Sequence, residues 1–518
     1  MDLKVRNAII SVSDKRGLVE FARSLHENGV VIYSTGGTAC AIHEASVPVQ
    51  LISDYTGFPE ILDGRVKSLH PMIHGGILAK RDSTKHMQQL EASGATTFDL
   101  VVINLYPFEA TIQQEGVRIG DAVEEIDIGG PSMLRSAAKN FQWVCTVCDP
   151  NQYDEVLREL KEQGAISLDT RKRMAVRVFE RTAYYDAVIS SYLQTVFADG
   201  LERFPSTINF YFHKKQELRY GENPAQKACF YTDPDTKVVG VATAKKLRGK
   251  ELSFNNILDI ETAFEIVMEF EEPACSVVKH TNPCGAATAP TLQEAFYDSW
   301  ASDPVSAFGS IIGFNGKVDA GAAKEVINAG FVECVIAPQF EADALDIFKE
   351  KKNIRILESG ERKNDVYDYD MKRVLGGVLV QERDLVTVGR DRLKLVTEKG
   401  IDEPLIRSLL FAWKVMKWVK SNAIVLASGT KTVGIGAGQM SRVDATFMAT
   451  HKAGDRSRGS VLASDAFFPK PDAVKLAIDA GVVAIIQPGG SIRDQDSIDL
   501  CNDHGVAMYF TGVRHFRH

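Results

Sequence analysis

The feature that most narrows what this chain can fold into is a degenerate internal repeat in its carboxy-terminal part. Gly309-Ser310-Ile311-Ile312 opens a stretch that runs through Ala329-Gly330 to Val335-Ile336-Ala337-Pro338. Gly459-Ser460-Val461-Leu462 opens another, which runs through Ala480-Gly481 to Ile485-Ile486-Gln487-Pro488. The outer landmarks keep one spacing, and the inner Ala-Gly slips by one residue. Upstream of each lies an apolar strand and a Gly-bearing turn: Cys275–Lys279 before Gly285, and Ala423–Leu426 before Gly434. A solenoid repeats about every 20–50 residues. A single duplication at longer period predicts instead two related α/β lobes, with a binding crevice between them.

The amino-terminal part alternates strands and helices. Ala8–Val12 is a short apolar run, followed by Ser13, Asp14 and Gly17 and then by Leu18, Phe21, Ala22 and Leu25 at helical spacing. Val30–Tyr33 reads as the next strand, and Leu100–Asn104 and Trp143–Val147 as further buried strands. Strand, Gly/Ser turn, helix, strand is the βαβ pattern, which predicts a parallel sheet with helices on both faces. A helical, charge-rich stretch from Asp154 to Gly200 closes this part, so the expected domains are residues 1–199 and 200–518. With 45% hydrophobic and 25% charged residues in 518, little disorder is expected. A net charge of −8 argues against bulk nucleic-acid binding. No apolar run approaches the ~18 residues of a membrane helix, and the opening apolar run is broken by Ser13 and Asp14, unlike a signal peptide. Eight cysteines are then expected to be reduced thiols in a cytoplasm.

Several segments carry chemistry. Ser34-Thr35-Gly36-Gly37-Thr38, between a strand and a helix, suits an anion cradle and equally a helix cap in a tight turn. Ser13-Asp14-Lys15, at the preceding strand's end, offers a hydroxyl and an ammonium to the same ligand. Asp63-Gly64-Arg65-Val66-Lys67-Ser68-Leu69-His70-Pro71 packs cations and acid–base groups into one turn. Tyr106 follows the Leu100–Asn104 strand, and Glu125-Ile126-Asp127-Ile128-Gly129-Gly130-Pro131 leads into a helix with Arg135 and Lys139. Ligands of open α/β sheets sit beyond the carboxyl ends of strands, so these segments can converge there; singly, each also reads as solvated charge or turn chemistry. Lys279-His280 stands at the exit of an apolar strand, where mutual repulsion inside a buried pair would favour proton transfer near neutral pH. The duplicated half offers Leu426-Ala427 at roughly the matching place, which weakens a purely architectural reading of the pair. Cys145 and Cys148 form a CxxC without a second ligand pair nearby, and residues three apart on a strand face opposite sides, so two buried thiols are expected and no metal.

Assembled in order, SVSDK, TGGT, TGFPE, GRVKSLHP, NLYPF, IDIGGPSMLRSAAKN, RYGENP, VKHTNPCG, GIGAGQMSR, SDAFFP and the terminal Arg514-His515-Phe516-Arg517-His518 resemble the bifunctional purine biosynthesis family along essentially the whole chain. That family joins IMP cyclohydrolase to phosphoribosylaminoimidazolecarboxamide (AICAR) formyltransferase. The resemblance implies a methylglyoxal-synthase-like α/β domain followed by two duplicated cytidine-deaminase-like α/β lobes without zinc. It implies that Ser13, Asp14, Lys15, Thr35, Gly36, Gly37, Thr38, Arg65, Val66, Ser68, Ile103, Asn104 and Ile128 bind IMP or formyl-AICAR (FAICAR). Lys67, Tyr106, Asp127 and Lys139 would surround the reacting atoms of cyclisation. In the second domain it implies His280 as general base and Lys279 as its electrophilic or acidic partner. Arg219, Tyr220, Gly309, Glu333, Asn422, Arg442, Phe467 and Arg514 would hold AICAR, and Val443, Asp472, Ser491 and Ile492 the co-substrate 10-formyltetrahydrofolate. At Glu333 the family pattern has the shorter Asp. Sites shared across a homodimer are implied as well.

Two other readings compete. One keeps the formyltransferase with a silent cyclohydrolase domain, against which the intact GRVKS, NLYPF and IDIGG segments argue. The other is a nucleotide-sensing module without catalysis, against which Lys279-His280 argues.

Overall fold

A computed structural model describes residues 2–62, 64–197, 204–234, 236–362 and 369–518. The chain divides into two compact units, Met1–Tyr211 and Phe212–His518. The expected boundary at 199/200, like Asp63, lies outside the described residues.

The first unit is built on five parallel strands: β1 (Asn7–Val12), β2 (Val31–Ser34), β3 (Gln50–Leu51), β4 (Leu100–Asn104) and β5 (Cys145–Val147), in the order β3-β2-β1-β4-β5. The apolar run of β1 exists because both its faces are covered. Ile10 packs with Phe21 and Leu25 on one side, and Ile9 with Met133 and Ala137 on the other. Fully burying one such aliphatic side chain stabilises the fold by about 1.5–3 kcal/mol. The chain leaves β1 first toward β2 and β3, then returns to add β4 and β5 on its other side. The connections after β1 and β4 therefore diverge and open a crevice at the carboxyl ends of these two strands. The strand expected at Trp143–Val147 is shorter, because the Trp143 N–H bonds the Asn140 carbonyl at 2.8 Å and finishes the preceding helix. Cys145 and Cys148 are buried in core clusters on opposite faces of the sheet, and burial pushes their thiols up to about 12 and about 11.

The second unit carries a twelve-stranded sheet that reads the same from either edge. From one edge the strands are Lys394–Leu395, Ala507–Phe510, Ala484–Gln487, Val461–Ser464, Ile424–Ser428 and Lys431–Gly436. Then come Asn282–Thr288, Ala274–Lys279, Ser310–Phe314, Val332–Ala337, Arg355–Glu358 and Lys245–Arg248. The hairpins Ala274–Thr288 and Ile424–Gly436 meet at the centre through the antiparallel pairing Ala287↔Lys431. This is the duplication expected from the repeat, now with its axis between the two hairpins. Gly285 and Gly434 face the backbone of Ser299 and Ala449, leaving no room for a Cβ. Ladder registers correct one expectation. Lys279 pairs Asn282 as Ser428 pairs Lys431, so the counterpart of Lys279-His280 is Ser428-Gly429 rather than Leu426-Ala427. Counting from the apolar runs misplaced it by two residues because the hairpin turn, not the strand centre, sets the match. Among the described residues no helix is long and apolar enough to cross a membrane.

Candidate active sites

The first site occupies the crevice between β1 and β4. Asn104, the last residue of β4, accepts from the backbone N–H groups of Ser13 at 2.6 Å and Asp14 at 2.8 Å, and donates to the Asp14 carbonyl at 2.8 Å. One amide thereby fixes the loop that carries Lys15. The Ser11 and Thr35 hydroxyls lie 3.2 Å apart, and the Thr38 hydroxyl bonds both the N–H and the carbonyl of Val12 at 3.0 Å. Thr35 precedes the helix Gly36–Glu44 without capping it through its side chain. Gly36 takes a φ of 43°, and Thr35, Gly37 and Thr38 line the cavity, so this helix start is open to an anion.

Across the cavity, of about 660 Å³, Lys67 Nζ lies 3.2 Å from the Tyr106 hydroxyl. The Asp127 carboxylate accepts the Gly130 N–H at 2.8 Å, and a Cβ at position 130 would overlap that carboxylate. The Asp127 N–H donates to the Tyr185 hydroxyl at 2.9 Å, which donates to the Glu125 carbonyl at 2.9 Å. Burial pushes the Asp127 carboxyl above the ordinary range, opposed by the Gly130 bond and by the charge of Lys67. Ser13, Lys15, Thr35, Gly37, Thr38, Arg65, Ser68, Ile103, Asn104 and Ile128 line the same space.

Four expected residues do not line it. Asp14 turns to Arg16 at 2.7 Å; Gly36 and Val66 belong to bordering segments without facing the cavity. Lys139 is exposed at the end of the helix Gly129–Lys139, whose first residue borders the cavity; at about 1.5 Å per residue the two ends are ~15 Å apart. Arg65 lines the cavity but is ion-paired with Glu124. Both side chains are largely exposed, so that pair is weak and an entering phosphate can displace it. The sequence pattern missed Glu124, which has no motif of its own.

Asp127 yields a stability prediction. A carboxyl raised on folding contributes stability that is present below its unfolded value and lost as pH rises through the folded one. Asp127→Asn is therefore expected to melt at or above the wild type at pH 8, the advantage vanishing below about pH 4. Thermal scans across pH check the sign.

The second site lies between the two lobes. Lys279 and His280, with Asn282, Pro283 and Cys284 from one lobe, face Ile435, Gln439, Met448 and Lys452 from the other across a cavity of about 410 Å³. The expected burial of the pair is not found: Lys279 is half-buried and donates to the Phe308 carbonyl at 2.9 Å, and His280 is exposed. Both sit where the hairpin leaves the sheet, which holds them at the cavity's rim. Asn422 does not line this space but is bonded to Gln439, which does: the Gln439 carbonyl accepts both its backbone and its side-chain N–H, at 3.0 and 2.9 Å. Buried Arg442 is paired with Asp465, which also accepts from Ser421. Arg514 stacks on Phe516 at 4.4 Å, Arg219 on Tyr220 at 5.6 Å, and Glu333 is ion-paired with Arg355 at 2.5 Å. These residues, Gly309 and exposed Phe467 do not line the Lys279–His280 cavity within one chain, nor do Val443, Asp472, Ser491 and fully exposed Ile492. Met448 and Lys452 were missed, because two residues on one face of a helix carry no signal for a partner lobe.

A family model described as the AICARFT/IMPCHase bienzyme matches residues 137–452, and one for the MGS-like domain matches residues 17–132. The bifunctional purine biosynthesis protein PurH of Anoxybacillus flavithermus is 52% identical over 516 residues, covering 99% of this chain and 100% of that one. The chain belongs to the AICARFT/IMPCHase bienzyme family. The proteins of the same description from Acetivibrio thermocellus and Listeria monocytogenes are 51% and 49% identical, again over 99% of this chain and 100% of theirs. As a member of that family the chain is a bifunctional enzyme of purine biosynthesis, with AICAR formyltransferase and IMP cyclohydrolase activities. Its first unit is MGS-like, and its whole architecture is α/β.

Proposed function

We propose that the Met1–Tyr211 unit closes the inosine ring and that the Phe212–His518 unit transfers the formyl group. The observation that carries the first half is the meeting of Lys67, Tyr106 and Asp127 in the cavity that also holds the Thr35–Thr38 cradle. In cyclisation the carboxamide nitrogen of FAICAR attacks the formyl carbonyl, forming the C–N bond, and water is then lost. An amide nitrogen is a poor nucleophile, so the site holds it against the carbonyl, removes its proton and stabilises the oxyanion. Asp127, made more basic by burial, takes the proton, and the Lys67 ammonium with the Tyr106 hydroxyl faces the developing oxyanion. The cradle and Arg65 hold the phosphate.

In the other unit the apolar walls of Pro283, Ile435 and Met448 beside three basic side chains, Lys279, His280 and Lys452, fit a flat heterocycle that carries a reactive one-carbon group. The co-substrate 10-formyltetrahydrofolate supplies that formyl carbon. His280 takes the proton of the AICAR 5-amino group as its nitrogen forms the new C–N bond, and Lys279 donates to the departing nitrogen. The AICAR- and folate-binding residues that stand apart from the cavity in one chain are proposed to complete the site in a homodimer, working in the cytoplasm. A fragment of residues 1–211 is expected to convert FAICAR to IMP without folate, since domains of about 50–250 residues carry their own core. A folded but inert fragment, beside an active whole chain, would refute the division of labour.

A further inference from the structure

The turn that presents His280 is strained and clamped. Lys279 and Asn282 close a two-residue hairpin in which His280 has a φ of 54° and Thr281 a φ of 58°. Turns with both residues left-handed favour Asn-Gly, and a β-branched threonine there is an outlier. Such strain persists only where the surroundings over-determine it. Within the turn the His280 carbonyl accepts from the Thr281 hydroxyl at 2.7 Å and the Asn282 side-chain N–H at 3.1 Å, and from outside the turn one carboxylate holds its two N–H groups. Asp259, on the helix Phe254–Val267, accepts the backbone N–H of His280 at 3.2 Å and that of Thr281 at 2.6 Å. Burial raises the Asp259 carboxyl, and the two N–H bonds oppose that rise.

The duplicated lobe supplies an internal comparison. Its hairpin turn has Gly429 at the position of His280, with a φ of 59° that glycine adopts freely. Its matching helix, Glu403–Met416, is also 14 residues long, and Ser408 stands where Asp259 stands, sixth in the helix. The Ser408 hydroxyl bonds Pro404 of its own helix at 3.0 Å rather than the turn. The carboxylate is present in the lobe whose turn holds two non-glycine residues left-handed, and absent in the lobe whose turn has glycine at the first of these places and no left-handed backbone at the second, Thr430.

We infer that Asp259 is a positioning residue for formyl transfer, holding the His280-Thr281 turn so that the imidazole stands at the rim of the inter-lobe cavity. This rests on the assignment of His280 as general base. In the whole chain, Asp259→Ser is expected to lower the formyl-transfer kcat about ten-fold or more, with KM for AICAR within about three-fold and cyclisation unchanged. Adding Thr281→Gly, which accepts the left-handed backbone without the clamp, is expected to restore at least about three-fold of that loss. A purely structural role would lower the melting temperature and leave kcat alone. If Asp259→Ser does not fold, Asp259→Asn keeps the shape, turns a donor toward one of the N–H groups, and is expected to lower kcat in the same direction. Wild-type kcat in the folded variant, or a loss confined to KM, beside an inactive His280→Ala, would overturn the inference. Full activity in His280→Ala would instead overturn the assignment beneath it.

Discussion

Replacing His280 by alanine is expected to abolish formyl transfer from 10-formyltetrahydrofolate to AICAR while leaving the conversion of FAICAR to IMP intact. The 5-amino group of AICAR is conjugated with its imidazole ring, so it is weakly nucleophilic until its proton is taken. A positioned base contributes about 10²–10⁴-fold to such a step. His280 is exposed on a hairpin turn, so its truncation removes little packing, and the melting temperature should hold. Cyclisation survives because Lys67, Tyr106 and Asp127 lie in the other unit. Steady-state rates of both half-reactions on one preparation check this. Formyl transfer at the wild-type rate would remove His280 from the chemistry.

Replacing Lys67 by methionine should do the reverse. Its ammonium stands 3.2 Å from the Tyr106 hydroxyl and acts electrostatically on Asp127, so it places positive charge where the oxyanion of cyclisation develops. Methionine keeps much of the stem's packing and deletes the charge, so the fold should survive. Removing a preorganised charge from a reacting centre costs at least about 1.4 kcal/mol, or ten-fold, in kcat/KM for cyclisation. Formyl transfer should stay near wild type. A parallel loss of both activities would indicate a damaged fold, and unchanged cyclisation would return Lys67 to the status of a solvated charge.

Much of this was legible in the sequence because burial writes a pattern. β4 was found at its observed bounds, Leu100–Asn104, because a strand covered on both faces must be apolar throughout. The two lobes were legible because duplication left Gly309–Pro338 and Gly459–Pro488 in step, and the observed strands Ser310–Phe314 and Val461–Ser464 fall inside them. By contrast β3 has only two residues, both exposed, and leaves no pattern to read. The match of Lys279-His280 to Ser428-Gly429 needed ladder register, which depends on turn geometry rather than composition. Ion pairs such as Arg65–Glu124, 59 residues apart, are set by tertiary approach and have no local signal. The same holds for the Asp259 clamp on a turn 21 and 22 residues away.

The most direct test of two coupled reactions on one chain is to supply the whole protein with AICAR and 10-formyltetrahydrofolate and to follow IMP and tetrahydrofolate together. The account predicts that both appear in equal amounts. It predicts further that tetrahydrofolate forms while FAICAR accumulates in Lys67→Met, and that neither product forms in His280→Ala. Tetrahydrofolate without IMP from the unaltered chain, or no turnover at all from folded protein, would contradict it.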